Sequence, residues 1–144
     1  MAEATANGEI ARIETVLFLQ HVDLFSFCKA EEILRIAAIG KQRRFSENER
    51  IFKLNDPADV LYCVIQGGLS LVGPDGDKKL VGPTQTCGVV EILSGRLRTA
   101  DAIATADTLV LAIEADDFFD LLAHNIEIVK ALFRHVIQQI QQTG

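Results

Sequence analysis

The chain has 144 residues, of which 49% are hydrophobic and 24% are charged, which is typical of one globular domain and excludes a disordered chain. Its net charge of −6 argues against sequence-independent binding to nucleic acid or to anionic lipid, because both need positive charge on the protein. No apolar run approaches the ~18 residues that a membrane-spanning helix requires.

Residues 8–40 have the spacing of helices. Apolar residues recur at intervals of three and four from Ile10 to Leu17, and a second apolar face runs from Lys29 to Ile39. Two glutamates stand at the start of the second face, where the helix dipole favours acids, and Gly40 is suited to end a helix. We therefore predict a helical segment over residues 8–40.

Residues 41–114 have a different pattern, in which short apolar or alternating runs are separated by turn residues every ~8–12 positions. The sequence from Gly73 to Gly76 predicts a hairpin, because its proline presets φ and Asp-Gly tolerates a positive φ. Asn48 and Asn55 stand where the chain turns sharply, and asparagine tolerates the left-handed region. The pattern predicts an all-β sandwich or barrel over residues 41–114.

The sequence GVVEILSG, from Gly88 to Gly95, interrupts the β pattern and predicts a single short helical turn. Such a turn leaves backbone N–H groups free at its start, where an anion can bind. Residues 115–142 return to helix, and an amphipathic helix of about four turns begins at Ile126. Its predicted apolar face comprises Ile126, Val129, Phe133, Val136, Ile137 and Ile140.

Several motifs follow one another in a fixed order. They are VDLF at residues 22–25, ERIFKLNDPAD at residues 49–59, LYCVIQG at residues 61–67 and CGVVEILSGRLRTA at residues 87–100. Their order and spacing resemble the cyclic nucleotide-binding domain family of catabolite-activator-type regulators, cyclic-nucleotide-dependent kinases and gated channels. The resemblance covers the chain from about Leu17 to Ile140. It implies a single, mainly β domain over residues 1–144, a β-jelly roll (double-stranded β-helix) with an N-terminal helical segment, a short helix within the barrel and C-terminal helices.

The last motif resembles the family's phosphate-binding cassette, F-G-E-[LI]-[AS]-L-[LI] followed after a short gap by R-[TAS]-A. Gly88 and Arg98 keep a common family spacing of ten. Without a side chain at Gly88 a phosphate can approach the backbone closely, and the planar fork of Arg98 can donate two hydrogen bonds to it. The resemblance implies that Thr99 donates to a phosphate oxygen or to a guanine edge. The predicted ligand-binding residues are Gly88, Val89, Val90, Arg98, Thr99 and Ala100.

The cassette departs from the family at Val89, where members that bind a ligand have a glutamate. That glutamate accepts a hydrogen bond from the ribose 2′-hydroxyl, and valine cannot accept one. The lost bond is worth ~1.5–3 kcal/mol, or roughly 10- to 150-fold in affinity. Glu91 lies about 200° around a helical turn from Val89, so we expect its side chain to face elsewhere rather than replace the missing acceptor.

Two functions remain open. The first is a cyclic nucleotide-binding regulatory module, which takes cAMP or cGMP and transmits its ligand state through the C-terminal helices. The second is a degenerate, ligand-independent protein-interaction module with the same fold. Val89 favours the second, whereas Gly88, Arg98 and Thr99 favour the first, which we prefer. The helix from Ile126 either couples the domain to a second copy or a partner protein, or simply packs on the barrel.

We predict that the chain is not an enzyme and needs no metal or other cofactor, and that it binds neither nucleic acid nor membrane. A metal-binding jelly roll needs imidazoles on its strands, whereas all three histidines lie in the helical blocks. No nucleophile elbow, Walker motif or dinucleotide fingerprint is present. The three cysteines lack CxxC spacing, and the N-terminus lacks a secretory pattern, so we expect free thiols and a cytoplasmic location.

Overall fold

A computed structural model describes residues 10–143. In chain order, a group of helices precedes eight β-strands and a second group of helices follows them. The N-terminal helices are α1 (Arg12–Leu19), a 3₁₀ turn (Asp23–Phe25) and α2 (Ala30–Ile39). The strands are β1 (Lys41–Phe45), β2 (Arg50–Phe52), β3 (Val60–Gln66), β4 (Leu69–Val72), β5 (Lys78–Val81), β6 (Thr86–Cys87), β7 (Asp101–Ala104) and β8 (Thr108–Glu114). Helix α3 (Val89–Ser94) lies between β6 and β7, and α4 (Ala115–His124) and α5 (Ile126–Thr143) follow β8.

The strands form two four-stranded sheets, in the orders β1-β8-β3-β6 and β2-β7-β4-β5. Every pairing between these strands is antiparallel. This arrangement confirms the predicted fold class, a mainly β jelly roll with flanking helices and one short helix among the strands. Of the predicted helical segment, residues 8 and 9 lie outside the described residues.

Two hydrophobic cores explain the long apolar runs of β3 and β8. Alternate residues of these strands face opposite sides of the sheet, and both sides are buried. Tyr62 and Val64 of β3 belong to the core between the two sheets, whereas Leu61 and Cys63 belong to the core beneath the helices. The helical core also includes Leu19, Phe25, Ile33, Ile36, Phe118, Ile128 and Leu132.

The predicted turns are present. Asn48 and Asn55 have φ values of 69° and 73°, and the chain from Gly73 to Gly76 joins β4 to β5 as a hairpin. Thr84, with a φ of 69°, is a third non-glycine residue with positive φ among the described residues, and the sequence did not indicate it.

Helix α5 differs from the prediction in the face that it buries. Ile128 and Leu132 pack into the helical core and Ala131 is buried, whereas Phe133 and Ile137 of the predicted face are 63% and 54% exposed. The helix has apolar residues on more than one side, so its sequence pattern alone did not determine its rotation. Among residues 10–143, no helix combines the length and the apolar character that crossing a bilayer requires.

Thr108 joins the start of β8 to the turn that links the two sheets. It is fully buried, its Oγ1 accepts from the N–H of Gly68 at 3.2 Å, and its hydroxyl lies 2.8 Å from the carbonyl oxygen of Ala106, to which it donates. We predict that Thr108→Val lowers the free energy of unfolding by ~1–3 kcal/mol, because the N–H of Gly68 loses its buried acceptor. Urea denaturation measures the loss, and Thr105→Val, at an exposed position, should change stability by less than ~0.5 kcal/mol.

Candidate functional site

A cavity of about 460 Å³ lies between the cassette (residues 87–100), the sheet that contains β2 and β5, and helix α5. Five of the six predicted ligand-binding residues line it, and Arg98 lies behind its wall with only 2% of its surface exposed. The five are Gly88, Val89, Val90, Thr99 and Ala100. The structure therefore gathers the predicted residues at one place, with the arginine beneath the others.

Gly88 gives the cassette its shape. It joins β6 to α3 with a φ of +102°, a backbone conformation that residues other than glycine rarely adopt. A Cβ atom at this position would collide with Nη1 of Arg98 and would lie 3.2 Å from the carbonyl oxygen of Val60. The guanidinium of Arg98 therefore uses the space that the absent side chain of Gly88 leaves.

The backbone and side chain of Arg98 are both held by the turn and strands around them. Its N–H donates to the carbonyl of Asp56 and its carbonyl accepts from the N–H of Asn55, each at 2.8 Å. The Nη2 group donates to the carbonyl oxygen of Val60 at 2.5 Å, and the guanidinium carbon lies 4.1 Å from the ring centre of Phe52. The aromatic face and the carbonyl partly compensate the positive charge.

Two nitrogens of the Arg98 guanidinium have no hydrogen-bond partner among the described residues. They are Nε and Nη1, both buried. Oε1 of Glu91 lies 3.8 Å from Nη1, close enough for attraction but too far for a hydrogen bond. A buried guanidinium with unused donors is costly unless another group supplies acceptors, so this position suits an anion.

Glu91 does not face away from the site. Its side chain is 18% exposed, lines the cavity and points toward Arg98, contrary to the expectation from the helical angle. Helix α3 has only six residues and the cavity surrounds its start, so residues on different sides of its first turn all reach the cavity. Val89 lines the same wall and also packs against the helical core, where it offers no acceptor to a ribose hydroxyl.

Other walls of the cavity carry residues that the sequence did not indicate as site residues. They include Lys79 on β5, His135 on α5 and Asp23 in the 3₁₀ turn. Helix α5 also contributes Leu132, Val136, Gln139 and Ile140. Their positions depend on how β5 and α5 pack against the cassette, and no motif in these segments indicates that packing.

All three cysteines are free thiols, as expected. Burial raises the pKa of Cys87, which lines the cavity, to about 12, although Arg98 and Lys79 oppose this shift. Burial also raises the pKa of Cys28 to about 11 and that of Cys63 further. The cavity therefore presents a neutral thiol rather than a thiolate at neutral pH. In the described part of the chain, no group of three or more His, Cys, Asp or Glu residues is placed to hold a metal ion.

The family model that describes the cyclic nucleotide-binding domain matches residues 42–125. The chain belongs to this family. That range contains the whole cassette and all but the first residue of the eight-stranded structure. Members of the family serve as regulatory domains, and the short helix and arginine of the cassette match the family pattern on which the sequence prediction rested.

Curated relatives are longer than this chain. It is 28% identical over 114 residues to the cyclic AMP receptor protein of Thermus thermophilus, with 72% of this chain and 53% of that protein covered. It is 25% identical over 126 residues to an uncharacterized NTE family protein of Mycobacterium tuberculosis, with 87% of this chain covered. The chain spans 22% of that mycobacterial relative.

Solved structures share the fold. The N-terminal domain of a transcriptional regulator from Streptomyces coelicolor A3(2) superposes with a TM-score of 0.76 and is 26% identical, with 88% of this chain and 94% of that chain covered. The regulatory subunit of a cAMP-independent protein kinase A from Trypanosoma brucei superposes with a TM-score of 0.71 and 23% identity. That match covers 85% of this chain and 46% of the kinase subunit, and it shows similarity of fold alone.

The contact between Gly88 and Arg98 predicts a difference between two glycine substitutions in the cassette. Gly95 has a φ of +69° and open space around it, so Gly95→Ala should cost ~1–2 kcal/mol from backbone strain alone. Gly88→Ala should cost ~1–3 kcal/mol more, because the added methyl displaces the buried guanidinium. Urea denaturation of the two variants measures the difference, and equal losses would show that Arg98 can move away freely.

Proposed function

We propose that this chain is a regulatory module that binds a cyclic nucleotide, cAMP or cGMP, and transmits its ligand state through α5. The observation that carries the proposal is the guanidinium of Arg98, which is buried beside the cavity with two unused donors. A cyclic phosphate carries one negative charge and presents oxygens that accept such donors.

The phosphate would bind at the start of α3. The first N–H groups of a helix have no partner within the helix, and here they open on the cavity wall formed by Val89 and Val90. Arg98 supplies the positive charge from behind this wall, and the exposed Thr99 adds a hydroxyl at its edge. These groups match the predicted phosphate contacts, whereas Val89 leaves the ribose without its usual acceptor.

The base would lie toward α5, where the cavity is more apolar. Leu132, Val136 and Ile140 form this part of the wall together with Leu71 of β4. Leu132 also belongs to the helical core, so α5 contacts the ligand cavity and the rest of the domain at once. A ligand that fills the cavity would therefore favour one docked position of α5, which supports its role in transmission.

A second candidate function is a ligand-independent interaction module. Val89 favours it, and so does the exposed side of α5, where Phe133 and Ile137 are each more than half exposed. A second copy of this chain or a partner protein could cover that side.

Regulatory roles in this family support our further proposal that the chain is not itself an enzyme. The expectation that it works without a metal or other cofactor stays a prediction. Its acidic composition and free thiols support a cytoplasmic location and argue against nucleic acid as a partner.

Calorimetric titration with cAMP and cGMP tests the proposed function. Wild type should bind one of them, and Arg98→Ala should weaken binding by about 10-fold or more, because charge-assisted hydrogen bonds to the phosphate are lost. Arg96→Ala removes an exposed arginine from the same segment and should leave affinity unchanged.

Val89→Glu should tighten binding by about 10-fold, because it supplies an acceptor to the ribose hydroxyl. If neither nucleotide binds to the wild type or to any variant, and all of them are shown to be folded, the result would favour the interaction module.

Two neighbouring residues of α5 test the proposed position of the base. Val136 lines the cavity, and Ile137 lies next to it on the exposed side. Val136→Ala should weaken nucleotide binding by a few-fold through lost apolar contact, whereas Ile137→Ala should leave it unchanged. Hydrogen exchange over residues 126–141 should slow when ligand is added to wild type. Unchanged exchange with saturating ligand would contradict transmission through this helix.

A further inference from the structure

We propose that Glu91 is an internal counter-ion that occupies the neighbourhood of Arg98 in the free protein and competes with the phosphate of the ligand. This inference rests on the proposed function, because it concerns the anion that the same site takes. Glu91 would thus determine which ligands bind according to their charge. Its carboxylate weakens the binding of anionic ligands and leaves the binding of uncharged ligands unaffected.

Glu91 lies on the cavity wall beside the guanidinium of Arg98. Oε1 of Glu91 lies 3.8 Å from Nη1 of Arg98, and this is the one ion pair that the structure gives Arg98 within residues 10–143. Arg98 is buried behind the wall, whereas Glu91 lines the cavity itself. A ligand that reaches Arg98 from the cavity therefore comes close to the carboxylate.

The pair does not have the form of a structural salt bridge. At 3.8 Å the two groups do not form a hydrogen bond, and Nη1 and Nε of Arg98 remain without a partner in the described chain. The carboxylate supplies charge without satisfying the donors. A phosphate that formed those hydrogen bonds would be a better partner for Arg98 than Glu91 is.

The short separation between Glu91 and Arg98 also keeps a phosphate bound to Arg98 close to Glu91. A ligand oxygen that hydrogen-bonds to Nη1 cannot lie farther than about 7 Å from Oε1 while Glu91 keeps its present position. Two negative charges at this separation repel appreciably in a partly buried site. The carboxylate must therefore swing toward solvent, which its partial exposure allows, or the ligand binds against this repulsion.

Glu91→Gln tests the inference, because glutamine keeps the size of the side chain and removes its charge. Calorimetry with cAMP and adenosine compares an anionic ligand with a related uncharged one. We expect Glu91→Gln to tighten cAMP binding by about 10-fold or more and to change adenosine affinity by less than twofold. Glu31→Gln removes an exposed carboxylate in α2 and should change neither. Glu91→Ala provides a second variant without the charge.

A second measurement uses inorganic phosphate at constant ionic strength. We expect phosphate to raise the melting temperature of Glu91→Gln more than that of wild type, and Arg98→Met in the Glu91→Gln background to abolish the difference. The Arg98→Met variant must itself show a cooperative melting transition.

The two measurements separate the inference from the proposed function. Equal cAMP binding by wild type and both Glu91 variants would overturn the inference and leave the proposed function standing. If no variant binds cAMP but phosphate stabilises Glu91→Gln in an Arg98-dependent way, the inference stands and the cyclic nucleotide is the wrong ligand. If neither cAMP nor phosphate distinguishes Glu91→Gln from wild type, and none binds cAMP, both proposals fall.

Discussion

The buried guanidinium of Arg98 is the group on which the arrangement of the site depends. Phe52 covers it, the carbonyl of Val60 accepts one of its hydrogen bonds, and Gly88 leaves the volume in which Nη1 lies. A charge at this depth is tolerated only where such compensation is complete or where a ligand completes it. One buried arginine therefore restricts which residues can stand at positions 52 and 88.

The fold could be predicted because its signals are local. The alternation and punctuation of residues 41–114, the hairpin from Gly73 to Gly76 and the two left-handed asparagines are each determined by a few neighbouring side chains. The cassette likewise follows from a short motif with fixed spacing. Strands β3 and β8 have unbroken apolar runs, and the structure explains these by burial on both faces.

The parts of the site that sequence did not reveal depend on tertiary packing. The angle between Val89 and Glu91 around α3 is fixed by helix geometry, but the side on which the cavity lies is not. Lys79 reaches the cavity only because β5 and the cassette are brought together by the jelly roll. Helix α5 has apolar residues on several sides, and packing against the 3₁₀ turn and the helical core selects Ile128 and Leu132.

Strand β3 contacts Arg98 and the helical core at the same time. The carbonyl at its first residue, Val60, holds Arg98, while Leu61 and Cys63 further along the strand pack beneath the helices. If the guanidinium moved toward an anion, its hydrogen bond to that carbonyl would break, and strain on β3 would change. Because close-packed interiors transmit strain, the proposed binding of an anion would affect the helices through this strand. Strand β3 thus links Arg98 to the helical core through the sheet, whereas α5 contacts the cavity directly.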